Sequence, residues 1–261
     1  MGELNTLVLL RMVPDVVEEL EIGPDGMSLD TEFLRLIVNE SDEHALEEAL
    51  ILRDRHGGTV SVAAVDGPDV DDALYGALAK GADRVVKIAG ASAGLTTSGL
   101  ASVLAGSLSS MDQLMPVDLM LTGCQSIDDL DGQLAPLLAH ELGSPYLGLT
   151  TAVEIGDGDT AIVLREFSGG VRGRYEVDMP AVLGVQAAEK PPRYVPVAKV
   201  RAAKQSGNVE ETAAVGEPAA TRSPILGMAV PTATDRAEML GTDPVEAAGR
   251  ILEILSERGL V

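Results

Sequence analysis

A single cysteine, Cys124, excludes an intrachain disulfide and points to a reducing compartment. Aromatic side chains are almost as scarce: Phe33, Phe167, Tyr75, Tyr146, Tyr175 and Tyr194 are all of them, and tryptophan is absent. The core must therefore be built from Leu, Val, Ile and Ala, as in parallel strands buried on both faces. Basic residues are outnumbered, 19 Lys and Arg against 41 Asp and Glu, for a net charge of −22. That balance argues against binding a nucleic-acid backbone, which calls for clustered Lys and Arg. It equally disfavours adsorption to anionic lipid, while keeping the chain soluble and able to steer cationic partners. No run reaches the roughly 18 apolar residues of a membrane span. The stretch Met1 to Val13 lacks the basic start, long apolar core and small-residue cleavage site of a signal peptide. The expectation is a cytoplasmic protein without direct membrane insertion.

Catalytic equipment is thin as well. His44, His56 and His140 stand apart with no metal-ligand spacing; the first two read as exposed helical positions and the third as a helix C-terminal residue. Cys124 has no evident His or Asn/Asp partner and reads as a small core residue. Neither a Walker lysine loop nor a Gly-x-Gly-x-x-Gly follows the first strand. A binding or carrier protein, with no metal and no catalytic residues of its own, fits better than a hydrolase.

What is present is alternation. Thr6 to Val13 reads as a buried strand. A helix capped by Ser41, with Asp42 and Glu43 in its first turn, runs to Gly57–Gly58. Strands over Thr59 to Val65, Arg84 to Ile88 and Val117 to Thr122 alternate with helices over Asp71 to Lys80, Ser98 to Met111 and Asp129 to Leu142. Such spacing indicates βαβ units, and hence a doubly wound, mostly parallel α/β sheet. After Tyr146 the pattern turns to strands over Leu149 to Ile155, Ala161 to Glu166 and Val171 to Asp178. Gly156–Asp159 and Ser168–Gly170 separate them as hairpin turns, and a short strand follows over Ala181 to Val185. This is an antiparallel extension. From Ala187 to Thr234 the chain reads as an arm with little periodicity. It ends in a helix with Asp243 at the N-cap, Pro244 at N1, Glu246 at N3 and an apolar face of Ala247, Ile251, Ile254 and Leu255. One helix on an arm cannot bury its face alone. The division expected is an α/β nucleotide-binding domain over 1–186 and a partner-docking part over 187–261.

Three loops follow strands, where ligands of open α/β sheets bind: Asn39 to Asp42, Asp66 to Pro68, and Gly123 to Gln133. The last has a glycine for close backbone approach and a helix start able to hold a phosphate, but Asp128, Asp129 and Asp131 would repel a bare anion. The residues alone leave two readings open, a nucleotide loop or a plain acid-capped turn. A nucleotide-binding regulatory or stress-type protein of the same layout is the rival to a carrier.

Read in order, several stretches resemble the β subunit of electron transfer flavoproteins. Arg11 to Pro14 is similar to that family's Lys-x-Val-Pro start, and Ala77 to Arg84 to its Ala-Leu-Ala-Met-Gly-Ala-Asp-Arg. Gly123 to Asp129 is similar to its Gly-Lys-Gln-Ala-Ile-Asp-Asp, and Arg165–Glu166, Gly169–Gly170, Met179 to Ala181 and Pro192 to Tyr194 match in turn. Glu40 stands where the family has Pro, and Cys124 where it has Lys. The resemblance implies a heterodimer with an α subunit that carries the redox FAD, fed by a flavin-dependent dehydrogenase. It also implies AMP, or a second FAD, held in this chain. By position the nucleotide residues are Leu9, Asn39, Glu40, Ser41, Asp42, Asp66, Gly123, Cys124, Gln125, Ser126, Ile127, Asp128, Asp129, Leu130, Asp131, Gly132, Gln133 and Leu134. Glu166, Arg193, Tyr194 and Val197 would face partners, with Val197 as the aliphatic anchor of a docking loop.

Overall fold

The computed structural model describes residues 3–91, 95–129, 131–216, 225–231, 237 and 239–261. In chain order the elements are β1 (Leu4–Leu10), β2 (Met12–Pro14), β3 (Leu36–Val38), α1 (Glu40–His56), β4 (Gly58–Val65), α2 (Val70–Lys80), β5 (Arg84–Ala89), α3 (Thr97–Ser109) and β6 (Leu119–Gly123). Then come α4 (Leu134–Leu142), β7 (Tyr146–Ile155), β8 (Thr160–Glu166), β9 (Arg172–Asp178), β10 (Ala181–Val185), α5 (Val197–Ser206), β11 (Val209–Ala213) and α6 (Pro244–Glu257). One nine-stranded sheet carries the fold in the order β11-β5-β4-β1-β6-β10-β7-β8-β9, and β2 and β3 form a separate antiparallel ribbon. Pairing is parallel from β11 to β7 and antiparallel through β8 and β9.

The period-two alternation of each strand sorts its side chains to two faces. In β1, Leu4, Val8 and Leu10 pack with α1 and α2, while Leu7 and Leu9 pack with α3 and α4. In register across the sheet, Val62, Val8, Leu121 and Leu183 are all fully buried. Both layers are aliphatic, as the scarcity of aromatics requires. The chain runs from β1 outward to β4 and β5, then returns to β6 on the other side of β1. The reversal between β1 and β6 is the topological switch point, where open α/β sheets leave a crevice at the strand C-termini.

Four expectations need correction. The first strand does not run unbroken to Val13: it stops at Leu10, because the Arg11 N–H is taken by the Asp42 carboxylate at 2.8 Å, and β2 turns to pair with β3. Ser41 is not the cap of α1. The helix starts at Glu40 after Asn39, and the Ser41 hydroxyl instead donates to the Gln125 carbonyl at 2.6 Å. The helix expected from Asp129 begins at Leu134, so it is not acid-capped. The aspartate carboxylates bind nearby N–H groups, Asp131 N to Asp129 and Gln133 N to Asp131, and so compete with helix formation there. Finally, the arm is not structureless: α5 packs on α2, and β11 adds an edge strand beside β5, where Arg84 pairs with Glu210.

The terminal helix is capped as expected. The Asp243 carboxylate accepts the Val245 N–H at 3.0 Å and Pro244 opens the helix, yet no residue of α6 is buried. Among the described residues no helix is long and apolar enough to cross a membrane.

Gly58 sets how close β4 lies to β1. Its φ is +102°, and a Cβ there would collide with the Leu4 backbone, its partner in the parallel ladder. Gly58→Ala should cost more than about 2 kcal/mol, from left-handed strain plus loss of the Leu4 pairing. A urea midpoint equal to wild type would show that the two strands do not need this approach.

Candidate functional site at the sheet switch point

A buried carboxylate organises the crevice. Asp42, in the first turn of α1 and 2 % exposed, accepts the Gly123 N–H at 2.6 Å and the Arg11 N–H at 2.8 Å. It thereby ties the ends of β1 and β6 to the start of α1. Gly123 has no room for a side chain, since a Cβ would collide with Ser41 and Asp42. The close approach that this glycine permits is to α1, not to a ligand. Asn39 adds a bond from its amide to the Gln125 carbonyl at 3.1 Å. The Arg11 guanidinium reaches across to Asp129 at 3.1 Å and Asp128 at 3.3 Å. Asp129 also accepts from Thr97 at 3.2 Å, so the loop is fastened to α3 as well.

Burial pushes the Asp42 carboxyl up from 3.8 to about 6, against its N–H bonds and the Arg11 charge. Burial likewise raises the Cys124 thiol, with the Asp42 charge adding to it, which is the wrong direction for a nucleophile. Among the described residues no group of His, Cys, Asp and Glu could hold a metal ion.

Two cavities flank the tie. A slot of about 220 Å³ is lined by Leu9, Arg11, Met12, Asp66, Gly67, Leu134 and apolar neighbours from β4, α2 and α3. A wider cavity of about 640 Å³ opens between the β2–β3 ribbon and the Cys124–Ile127 turn, with Asn39, Glu40, Ser41, His44 and Gln186 on its walls. Only the second lies within the roughly 300–1,000 Å³ of pockets that enclose a drug-sized ligand; the slot suits a single heterocycle. Among the described residues no hydrogen bond uses the N–H of Gln125, Ser126, Ile127 or Asp128. That run of donors is what a phosphate or ribose requires.

The sequence-derived residues therefore separate. Leu9, Asp66 and Leu134 meet in the slot, and Asn39, Glu40, Ser41, Cys124, Gln125, Ser126 and Ile127 meet in the wider cavity. Asp42, Gly123, Asp128 and Asp129 are spent on holding the loops together. Asp131 and Gly132 line a third cavity, Gln133 precedes α4 without a side-chain cap bond, and Leu130 lies outside the described residues. Arg11, Thr97, His44 and Gln186 were missed. Arg11 had a readable signal, being a charge at the end of an apolar strand run.

A second set of bonds fixes the start of the arm. His44, Glu47 and Glu48 recur on one face of α1 at helical spacing. His44 Nδ1 accepts the Ala188 N–H at 3.1 Å, so this ring is half-buried and engaged rather than exposed. Glu48, fully buried, accepts the Val153 N–H at 2.7 Å and the Glu189 N–H at 2.9 Å. Glu47 accepts the Arg193 N–H at 2.9 Å and pairs with its guanidinium, which also reaches Asp54. Arg193 is thus engaged within the chain. Tyr194 is 85 % exposed, Val197 opens α5 at 62 % exposed, and Glu166 pairs with Arg172 at 2.8 Å.

The electron transfer flavoprotein domain, a protein-family model, matches residues 27–216. The electron transfer flavoprotein subunit beta of Methylophilus methylotrophus is 31 % identical over 269 residues, covering 97 % of this chain and 98 % of that one. That of Clostridium acetobutylicum is 33 % identical over 198 residues, covering 76 % and 74 %. The caffeyl-CoA reductase-Etf complex subunit CarD of Acetobacterium woodii is 29 % identical over 268 residues, covering 99 % and 100 %.

Two outcomes test these ties. An acid with a raised native pKa stabilises fully below its unfolded pKa and loses that contribution as pH rises through the native one. Wild type should therefore lose about 3 kcal/mol in all relative to Asp42→Asn as pH rises, most of it between pH 3.8 and pH 6, a window set by the values above. Paired urea titrations across that range would show a flat difference if Asp42 titrates normally. Glu48→Ala strands two N–H groups and should cost about 2–3 kcal/mol, with faster amide exchange at Val153 and Glu189. Protection unchanged at both amides would contradict the assigned bonds.

Proposed function

Because the chain belongs to the electron transfer flavoprotein family, in its β-subunit branch, we propose that it is the β subunit of a heterodimeric carrier. In this reading it accepts electrons from a flavin-dependent dehydrogenase and passes them to a downstream acceptor, in the cytoplasm and in complex with an α subunit. The flavin, held mainly by the α subunit, supplies the redox chemistry when bound. This chain supplies no catalytic residue. It scaffolds the flavin and holds an adenine nucleotide, either AMP or a second FAD.

The observation that carries the proposal is the convergence of slot, cavity and free N–H run at the switch point, on the loops that the family resemblance picks out. The slot has the apolar walls a base needs, from Leu9, Val70, Leu100 and Leu134, with Asp66 at hand for a polar contact. The turn from Gln125 to Asp128 offers backbone donors to phosphate or ribose hydroxyls. Arg11 is held by Asp128 and Asp129, so it is not free to bind a phosphate itself. In this reading the chain divides into a nucleotide-binding part over 1–186 and a partner-facing part over 187–261, within which β11 also extends the sheet and α5 packs on α2. Tyr194 and Val197, exposed and placed just after the clamped strap, suit docking to a dehydrogenase. The unburied amphipathic face of α6 suits wrapping of the α subunit.

Coexpression with the α subunit of the same genome is expected to give a yellow 1:1 complex. Mass spectrometry of the nucleotides released from it should find an adenine nucleotide beyond the α-subunit flavin. A colourless chain with no affinity for that subunit would sink the carrier reading. A yellow complex with FAD equal to α subunit and no AMP would sink the nucleotide site alone.

A further inference from the structure

Arg165 breaks a rule that the other partly buried arginines keep. Among the described residues, Arg11, Arg53, Arg84, Arg193 and Arg250 each pair with a carboxylate. Arg165 pairs with none: its Nε is shielded from solvent without a hydrogen-bond partner, and its guanidinium lies 5.0 Å from the Phe167 ring centre. The chain has 41 acidic residues to choose from. An Nε donor withdrawn from water without an acceptor is costly, and a partner from outside that supplies a carboxylate removes that cost. The same side chain lines a cavity of about 350 Å³ with Tyr146, Leu149 and Asp131; Asp131 forms no ion pair with it, its carboxylate accepting the Gln133 N–H.

The surroundings identify the kind of partner. Arg165 and Phe167, two apart, share a face of the antiparallel extension, and Arg165 stands opposite Gly173, two before Tyr175. The rings of Tyr175 and Phe167 close over Gly173, where a Cβ would meet them at 2.7 and 3.0 Å. Tyr146, Phe167 and Tyr175 are 41, 41 and 38 % exposed, so half of the six aromatic residues of the chain lie open to solvent around one unpaired arginine. Tyr and Arg about a pocket, with apolar neighbours, are the composition of a protein–protein hot spot.

We propose that the Arg165 pocket and its aromatic rim form a protein-docking surface on β7 to β9, whose anchor is an Asp or Glu side chain of the α subunit seated against the Arg165 guanidinium. Charge complementarity selects the carboxylate, and the exposed rings select a protein that covers them over a free ion. The Tyr146 hydroxyl can donate a second bond to the same group. This surface is separate from the strap, α5 and the terminal arm, and it rests on the heterodimer reading above.

The test uses the full chain and its complex with the α subunit of the same genome. Arg165→Gln should weaken association at least tenfold and leave thermal unfolding of the free chain nearly unchanged, since no intrachain ion pair or side-chain hydrogen bond of Arg165 is lost and only the partly exposed contact with the Phe167 ring goes. Tyr175→Ser, at the exposed rim, should weaken it as well. In the Arg165→Lys complex, a water-soluble carbodiimide should join position 165 to an α-subunit Asp or Glu, identified by peptide mapping. Association of Arg165→Gln as tight as wild type overturns the docking surface, as does coupling of Arg165→Lys to Asp131 alone. Binding of citrate or inorganic phosphate by the free chain, lost in Arg165→Gln while the complex is unaffected, also overturns it in favour of a small-anion site. A wild-type chain that forms no complex overturns the heterodimer reading and this surface together, whereas a wild-type complex indifferent to Arg165→Gln overturns the surface alone.

Discussion

One carboxylate holds the crevice open. Asp42 is withdrawn from water at the start of α1 and satisfies the N–H groups of Arg11 and Gly123, where β1 and β6 end. Two backbone donors at strand termini would otherwise be stranded in an apolar layer. With that bond made, β1 stops, the chain turns into the β2–β3 ribbon, and β6 turns into the Cys124–Ile127 loop. Slot and cavity are the spaces left on either side. The cost of burying the charge is visible in its raised pKa, so the tie gives defined geometry at some expense in stability.

The same helix organises a second region. The face of α1 that carries His44, Glu47 and Glu48 receives the backbone of residues 188–193 through side-chain acceptors, and Arg55 pairs with Glu189 at 2.7 Å. A single helix therefore fixes both the nucleotide-type loops at its N-terminus and the strap that leads to Tyr194 and Val197. Any shift of α1 moves both, which couples the two regions through one rigid element.

Much of this was legible in the sequence, and the rest failed for physical reasons. Alternation of aliphatic strands with helices gave the doubly wound sheet, because both sheet faces are buried and periodicity reports burial. Asp243–Pro244 marked α6, because a cap is a local signal. Ser41 and the aspartates near Asp129 misled for the opposite reason. Cap-like residues are also residues that bond at long range, and here Ser41 reaches Gln125, 84 positions away. Strand β11 buries none of its five residues, so no alternation announced it; its place is set by pairing with β5 and by Arg84 on Glu210. Arg165 was seen only as part of a family match, since the absence of a partner is a three-dimensional fact.

The placement of the aromatic rings has an optical consequence. With no tryptophan and none of the four tyrosines buried, the chain carries its ultraviolet chromophores at its surface, over an aliphatic interior that absorbs nothing in that range. Tyrosine emission will report contact at Tyr146, Tyr175 and Tyr194 far more than collapse of the core. Loss of the fold is seen in the peptide bond, gain of a partner in the phenol rings, and in a flavin complex the visible colour belongs to the cofactor, so one sample separates three events by wavelength.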